Sequence, residues 1–207
     1  MEFSAESMGS LYAAGALQDA CRERLRREKI RARDRLSPEE RAELSARAAE
    51  RLLASPEFRQ AGTLLIYRAV RGEVRLEALE SAPASGEKRL AYPLCVSGTE
   101  LIAMLPHGED AWTRGYCGIF EPLPEKSELI RPGEIDLVVC PCTVFDERCH
   151  RMGMGAGFYD RYLEKCVNAR IVSVAFECQK AARVPAAPWD KPMEAVFTER
   201  AVYRRAR

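Results

Sequence analysis

Ile135-Asp136-Leu137-Val138-Val139-Cys140, then Pro141-Cys142-Thr143-Val144-Phe145-Asp146, then Arg151-Met152-Gly153-Met154-Gly155-Ala156-Gly157, then Phe158-Tyr159-Asp160-Arg161-Tyr162-Leu163: in that order these read as strand, polar turn, glycine loop and helix. The first block is a short apolar run of buried-strand length. Glycines at 153, 155 and 157 let the backbone adopt positive φ and approach a ligand closely, which a Cβ would resist. The N–H groups of such a loop, with the free donors and positive dipole end of a following helix, suit a phosphate. Arg151 can add a bidentate cationic fork to the same oxygens. The spacing misses the dinucleotide fingerprint, which needs a third glycine at Phe158, and there is no Gly-Lys-Ser/Thr of a P-loop. By itself it also describes a merely flexible turn.

Outward from this stretch, further apolar runs sit between breakers. Thr63-Leu64-Leu65-Ile66-Tyr67, Lys88-Arg89-Leu90-Ala91-Tyr92-Pro93, residues 100–105, Ile171-Val172-Ser173-Val174-Ala175-Phe176 and Ala195-Val196-Phe197-Thr198 all read as strands. Residues 16–35 are rich in Arg, Ala, Leu and Glu without Pro or Gly, which favours a helix. Ser37-Pro38-Glu39-Glu40 supplies an N-cap, a proline at the first helical position and a glutamate able to close a capping box. That predicts a second helix to about Ala54. Shorter helices are expected over residues 76–81 and from 158 to about Cys166, with residues 106–132 loop-rich.

Alternation of short strands and helices predicts an α/β fold: a single three-layer domain, residues 16–207, with a largely parallel central sheet flanked by helices. Residues 1–15 read as a flexible tail. With parallel strands, the loops after Tyr67, Val139 and Phe176 would open together beyond the carboxyl ends, where such sheets bind ligands.

Composition narrows the function. Lys plus Arg number 32 and Asp plus Glu 31, and a net charge of +1 gives no electrostatic reason to expect nucleic acid or an anionic membrane. No apolar run approaches the roughly 20 residues of a membrane helix, and the N-terminus lacks the pattern of a secretory signal. Eight cysteines without export features read as reduced cytoplasmic thiols. Cys140, Cys142, Cys149 and His150 include metal-ligand types but lack paired Cys-x-x-Cys spacing, so Cys140 and Cys142 read better as small buried hydrophobes.

The string Arg-x-Gly-x-Gly-x-Gly-Phe-Tyr-Asp at 151–160 resembles the signature of the 5-formyltetrahydrofolate cyclo-ligase, or methenyltetrahydrofolate synthetase, family. Other motifs support the resemblance over residues 22–199. Arg22-Glu23-Arg24-Leu25-Arg26 is similar to a basic N-terminal motif that often starts with Lys. Gly72-Glu73-Val74, Gly118-Ile119-Phe120-Glu121-Pro122, Val184-Pro185, Asp190 and Thr198-Glu199 follow in the family order. The departures are Cys117 where an aromatic usually precedes the glycine, Cys142 where the family has Gly, and Arg68 and Arg71 where relatives carry smaller or polar residues.

The resemblance implies ATP-dependent closure of 5-formyltetrahydrofolate to 5,10-methenyltetrahydrofolate, releasing ADP and phosphate. It implies ATP binding by Arg22, Arg26, Arg151, Gly153, Met154, Gly155, Ala156, Gly157, Phe158 and Tyr159. Arg68, Glu73, Met154 and Phe158 would contact the reduced folate, with Arg151 and Tyr159 in catalytic roles. Asp160 and Asp190 would bind Mg²⁺. A monomeric cytoplasmic enzyme is expected, and Arg151→Ala is expected to hurt ATP use more than folding. The alternative is a relative that binds ATP or folate without turnover. A Cys/His metal module at 140–150 and a sugar-phosphate enzyme on a similar scaffold are weaker readings.

Overall fold

The computed structural model describes residues 5–115, 118–187 and 190–206. Among these the helices are α1 (Ala5–Asp34), α2 (Pro38–Leu53), α3 (Pro56–Gln60), α4 (Glu77–Ser81) and α5 (Phe158–Leu163). The strands are β1 (Thr63–Leu65), β2 (Arg89–Cys95), β3 (Leu101–Pro106), β4 (Trp112–Arg114), β5 (Phe120–Pro122) and β6 (Ser127–Ile130), followed by β7 (Leu137–Cys140), β8 (Val144–Phe145), β9 (Arg151–Met152), β10 (Arg170–Val174), β11 (Ala195–Phe197) and β12 (Val202–Arg204).

The main sheet has the order β12-β11-β10-β7-β1-β2-β3-β6. Its centre, β11-β10-β7-β1-β2, is parallel. The edges, β12 on one side and β3-β6 on the other, are antiparallel. From β1 the chain first winds towards β2, and from β7 it winds the other way towards β10 and β11. The winding direction therefore reverses between β1 and β7, and ligands in open α/β sheets sit in the crevice at such a reversal. The loops after Tyr67, Val139 and Phe176 open on this side, as the parallel reading expects.

β1 and β7 are buried at every position because both sheet faces are covered. On one face Leu64, Val139, Val174 and Phe197 pack with Ala48, Leu52, Phe58 and Leu79 from α2, α3 and α4. On the other, Leu65, Val138, Cys140 and Val196 meet Tyr162 and Leu163 of α5. The alternation of successive residues between the two clusters gives the three layers. The start of α2 is as the sequence predicts: Ser37 Oγ accepts from the Glu40 N–H at 3.1 Å, and Glu40 Oε2 accepts from the Ser37 N–H at 2.7 Å.

Three expectations shift. Helix α1 begins at Ala5, ahead of the predicted start at Ala16 and inside the stretch read as a tail. Helix α5 stops at Leu163, before Cys166, because the Lys165 and Cys166 amides turn back to Tyr162 and Leu163 in tighter i→i−3 bonds. The loop-rich segment 106–132 holds β4, β5 and β6. Glu128 and Leu129 of edge strand β6 face solvent, so that strand carries no apolar run to betray it. No described helix is long and apolar enough to cross a membrane.

Candidate functional site

β7 ends at Cys140, and the chain makes the β8–β9 hairpin before entering the glycine loop. Asp146, 1% exposed, fixes this hairpin. Its Oδ1 accepts from the Arg148 and His150 N–H groups, both at 3.0 Å, and its Oδ2 accepts from the Val184 N–H at 2.9 Å. Gln179, also buried, donates to the carbonyls of Cys142 and Thr143 at 2.6 and 3.1 Å while accepting from the Phe176 N–H at 2.9 Å. These two side chains clip the loop after β10 to the loop after β7. Neither role was read from the sequence: Asp146 stood out only as the end of the stretch 141–146, and Gln179 not at all.

Arg151 leaves β9 into the interior, only 4% exposed, and donates through Nη2 to Asp160 Oδ1 at 2.8 Å. Its guanidinium lies 6.0 Å from the Tyr159 ring centre. The Tyr159 hydroxyl is buried without a hydrogen-bond partner. Burial, followed by the charges of neighbouring groups that include Glu73, holds this phenol well above its ordinary pKa, so it stays a protonated donor. Met154, Gly155 and Ala156 form the exposed crown of the loop. Gly155 sits at φ +106° and Gly157 at φ +69°, conformations that favour glycine. A Cβ at Gly157 would also stand 2.8 Å from Arg161 Nη1.

Helix α1 lays Arg26 against this loop and, one turn earlier, Arg22 against Pro185 and Asp190. Arg26 Nε donates to the Gly153 carbonyl at 2.9 Å, and its guanidinium carbon lies 3.5 Å from where a Cβ on Gly155 would stand. Arg22 Nη1 donates to Asp190 Oδ2 at 2.7 Å and to the Pro185 carbonyl. Thus Arg22, Arg26, Arg151, the glycines, Asp160 and Asp190, spread over 168 positions, belong to one cluster in which each carboxylate is neutralised by an arginine. The helix dipole contributes less than the sequence suggested. Six-residue α5 is short, and the capacity for an anion rests on the arginines and the loop backbone.

Across the switch point, the chain after β1 forms a turn over residues 70–73. The Glu73 N–H donates to the Val70 carbonyl at 3.0 Å, and Arg71 (φ 48°) and Gly72 (φ 77°) both lie in the left-handed region. That is a type I′ geometry, and a Cβ at Gly72 would meet Arg41 Nη1 at 2.9 Å. Glu73 is nine-tenths buried and its Oε2 accepts from the Val70 N–H at 3.1 Å. Burial raises its pKa, against the pull of the Val70 N–H and the charges of Arg33 and Arg71. Arg68 lies over the Trp112 ring at 3.9 Å and faces Glu80 at 3.7 Å. It lines a cavity of about 300 Å³ together with Tyr67, Glu77, Ile119 and Phe120. Glu121 of the Gly-Ile-x-Glu-Pro motif is buried and accepts from the Cys95 N–H at 3.2 Å, so it ties β5 to the end of β2. Cys117 lies outside the described residues.

Several of the described cysteines belong to the core. Cys140, Cys142 and Cys149 are buried, and burial pushes their thiols up to about 12, 12 and 11. Cys142, standing where the family has glycine, turns its Sγ to the Val144 carbonyl at 3.3 Å. Among the described residues no three His, Cys, Asp or Glu side chains gather as a metal cage.

A largely parallel, doubly wound sheet, with an arginine-backed glycine loop on one side of its switch point and a buried carboxylate on the other, defines an α/β protein suited to hold an anion next to a hydrogen-bond donor. The family follows from comparison. The profile of the 5-formyltetrahydrofolate cyclo-ligase family matches residues 18–199, and the chain belongs to that family. It is 30% identical over 179 residues to the 5-formyltetrahydrofolate cyclo-ligase of Escherichia coli (strain K12), covering 84% of this chain and 98% of the relative. The NMR structure of Aquifex aeolicus 5,10-methenyltetrahydrofolate synthetase superposes with a TM-score of 0.78 at 33% identity, over 88% of this chain and 92% of that one. A Mycoplasma pneumoniae synthetase shares the fold, with a TM-score of 0.67 at 24% identity over 86% of this chain and 98% of its own.

Proposed function

We propose that this protein closes 5-formyltetrahydrofolate to 5,10-methenyltetrahydrofolate with ATP, releasing ADP and phosphate. The observation that carries this reading is the meeting of Arg26 and Arg151 at the glycine loop, with Arg22 one helical turn away on Asp190 and with Glu73 across the switch point. The formyl oxygen is a poor leaving group. Transfer of the γ-phosphoryl group to it makes an activated carbon at N5, which N10 attacks, and phosphate departs with the former formyl oxygen. Such transfer needs alignment and charge neutralisation more than covalent help from the protein.

In this proposal Arg151, Arg22, Arg26 and the backbone of residues 153–157 hold the triphosphate, with Met154 and Phe158 beside both substrates. The Tyr159 hydroxyl, a buried donor with no partner, is suited to the oxygen on which charge develops. Glu73 accepts from the amino and ring N–H groups of the pterin, and Arg68 lines its cavity. Asp160 and Asp190 fit Mg²⁺: their oxygens are hard, and with so few carboxylates at hand the ion's shell would be completed by phosphate and water. When bound, Mg²⁺ would neutralise phosphate charge. The arginines now paired to Asp160 and Asp190 are the ones proposed to turn to the nucleotide. A monomer in the cytoplasm, binding no nucleic acid, completes the reading, in keeping with a net charge of +1.

The test is growth of the methenyl-folate absorbance on mixing protein, 5-formyltetrahydrofolate, Mg²⁺ and ATP, with each left out in turn. Growth only in the full mixture is expected. Silence from folded protein that binds ATP refutes turnover and selects the non-catalytic alternative.

A further inference from the structure

Arg33 has no part in the chemistry proposed so far, yet it is 1% exposed. Its Nη2 donates to the Arg71 carbonyl at 2.7 Å, while Nε and Nη1 have no hydrogen-bond partner. A buried guanidinium with unmet donors is destabilising unless something else uses it. Its location suggests the use. Arg33 lies beneath the turn that carries Glu73, so close that a Cβ on Gly72 would stand 3.7 Å from Arg33 Nε.

The groups whose charge bears on Glu73 come from several elements. Arg33 reaches it from α1 and Arg71 from the turn itself, and its field is felt by the Tyr67 and Tyr159 phenols and the Cys142 thiol. Both phenols and the thiol are neutral at ordinary pH. Arg71 is exposed, so water screens it, whereas Arg33 acts from the interior. We propose that Arg33 is the positioning residue for folate recognition: it pins the 70–73 turn by the Arg71 carbonyl and sets a buried positive charge beneath that turn, so that the Glu73 carboxylate is held towards the pterin N–H groups. This rests on the assignment of Glu73 to the folate.

The experiment is a double-mutant cycle of Arg33→Leu and Glu73→Gln, read by steady-state kinetics across pH. Arg33→Leu is expected to raise KM for 5-formyltetrahydrofolate about ten- to a hundredfold, the range for losing a charged partner, with KM for ATP unchanged. The acidic limb of kcat/KM for folate should move up by about one pH unit, since Glu73 then ionises less readily. Arg33→Lys should return that limb towards its original position. In the Glu73→Gln background, Arg33→Leu should cost clearly less, because the charge it serves is gone and only its hold on the turn is lost. An equal loss in both backgrounds would assign Arg33 to the scaffold alone and overturn the proposal, as would an unchanged KM and pH limb. If Arg33→Leu does not fold, the Arg33→Lys cycle asks the same question. If the unaltered protein makes no methenyl product, the proposed function fails separately, and direct titration of folate binding across pH still decides the role of Arg33.

Discussion

Arg151→Met is the perturbation that most sharply separates a phosphate ligand from a structural arginine. The side chain is 3% exposed and its partner Asp160 25% exposed, across a single bond of 2.8 Å. Burial of this pair adds a stability cost to the expected loss of ATP use. Removing one partner of such a pair loses about 1.5–3 kcal/mol, which in a chain of this size lowers the melting temperature by roughly 3–12 °C. Loss of a preorganised donor to the reacting phosphoryl group should lower kcat by about 10²–10³ as well. Adding Asp160→Asn removes the carboxylate left unpaired, so the double variant should regain part of the melting temperature and none of the activity. Methenyl absorbance under varied ATP, beside thermal melts of all three proteins, makes the comparison. The reasoning fails if activity returns along with stability, or if folded Arg151→Met keeps its kcat/KM for ATP within a few-fold.

Other outcomes follow from the same structure. Gly155→Ala, at φ +106°, should lose about 1–3 kcal/mol to backbone strain and weaken ATP binding, both measurable by melts with and without nucleotide; an unchanged apo melt would refute the strain. Native Cys140 and Cys142, with thiols near 12, should resist a thiol-specific chromogenic reagent at pH 8 until the protein is unfolded. For Glu57, burial alone would raise the carboxyl, but the hydrogen bond and charge of Arg204 outweigh it and hold the pKa below its usual value. A depressed folded pKa means stability that is present above the unfolded value and lost as pH falls through the folded one. Glu57→Gln should therefore lower the melting temperature more at pH 7 than at pH 4, and an equal drop at both would refute the linkage.

The parallel centre of the sheet was legible because β1, β7 and β10 are apolar runs between breakers, and α2 because Ser37, Pro38 and Glu40 write their cap in order. The β8–β9 hairpin was not, because two-residue strands held by Asp146 and Gln179 leave no periodicity. The glycine loop was read correctly as a loop, yet its helix was credited with more dipole than six residues provide. Arg33 was hidden among the nine Lys and Arg residues of segment 16–41. A trace of it existed: Arg22, Arg26 and Arg33 recur at spacings of four and seven, which brings all three to one side of a helix.

That spacing gives α1 the character of a ruler. From Arg22 to Arg33 is about 16 Å along the axis. Over that length one rigid rod grips the Pro185–Asp190 segment, the Gly153 carbonyl and the Arg71 carbonyl. A slide by one turn would break all three grips together. In the proposed function, the nucleotide and folate halves of the cleft would share this common part. Cleavage between Asp34 and Pro38 would leave all three grips on one rod, since Arg22, Arg26 and Arg33 all lie ahead of the cut.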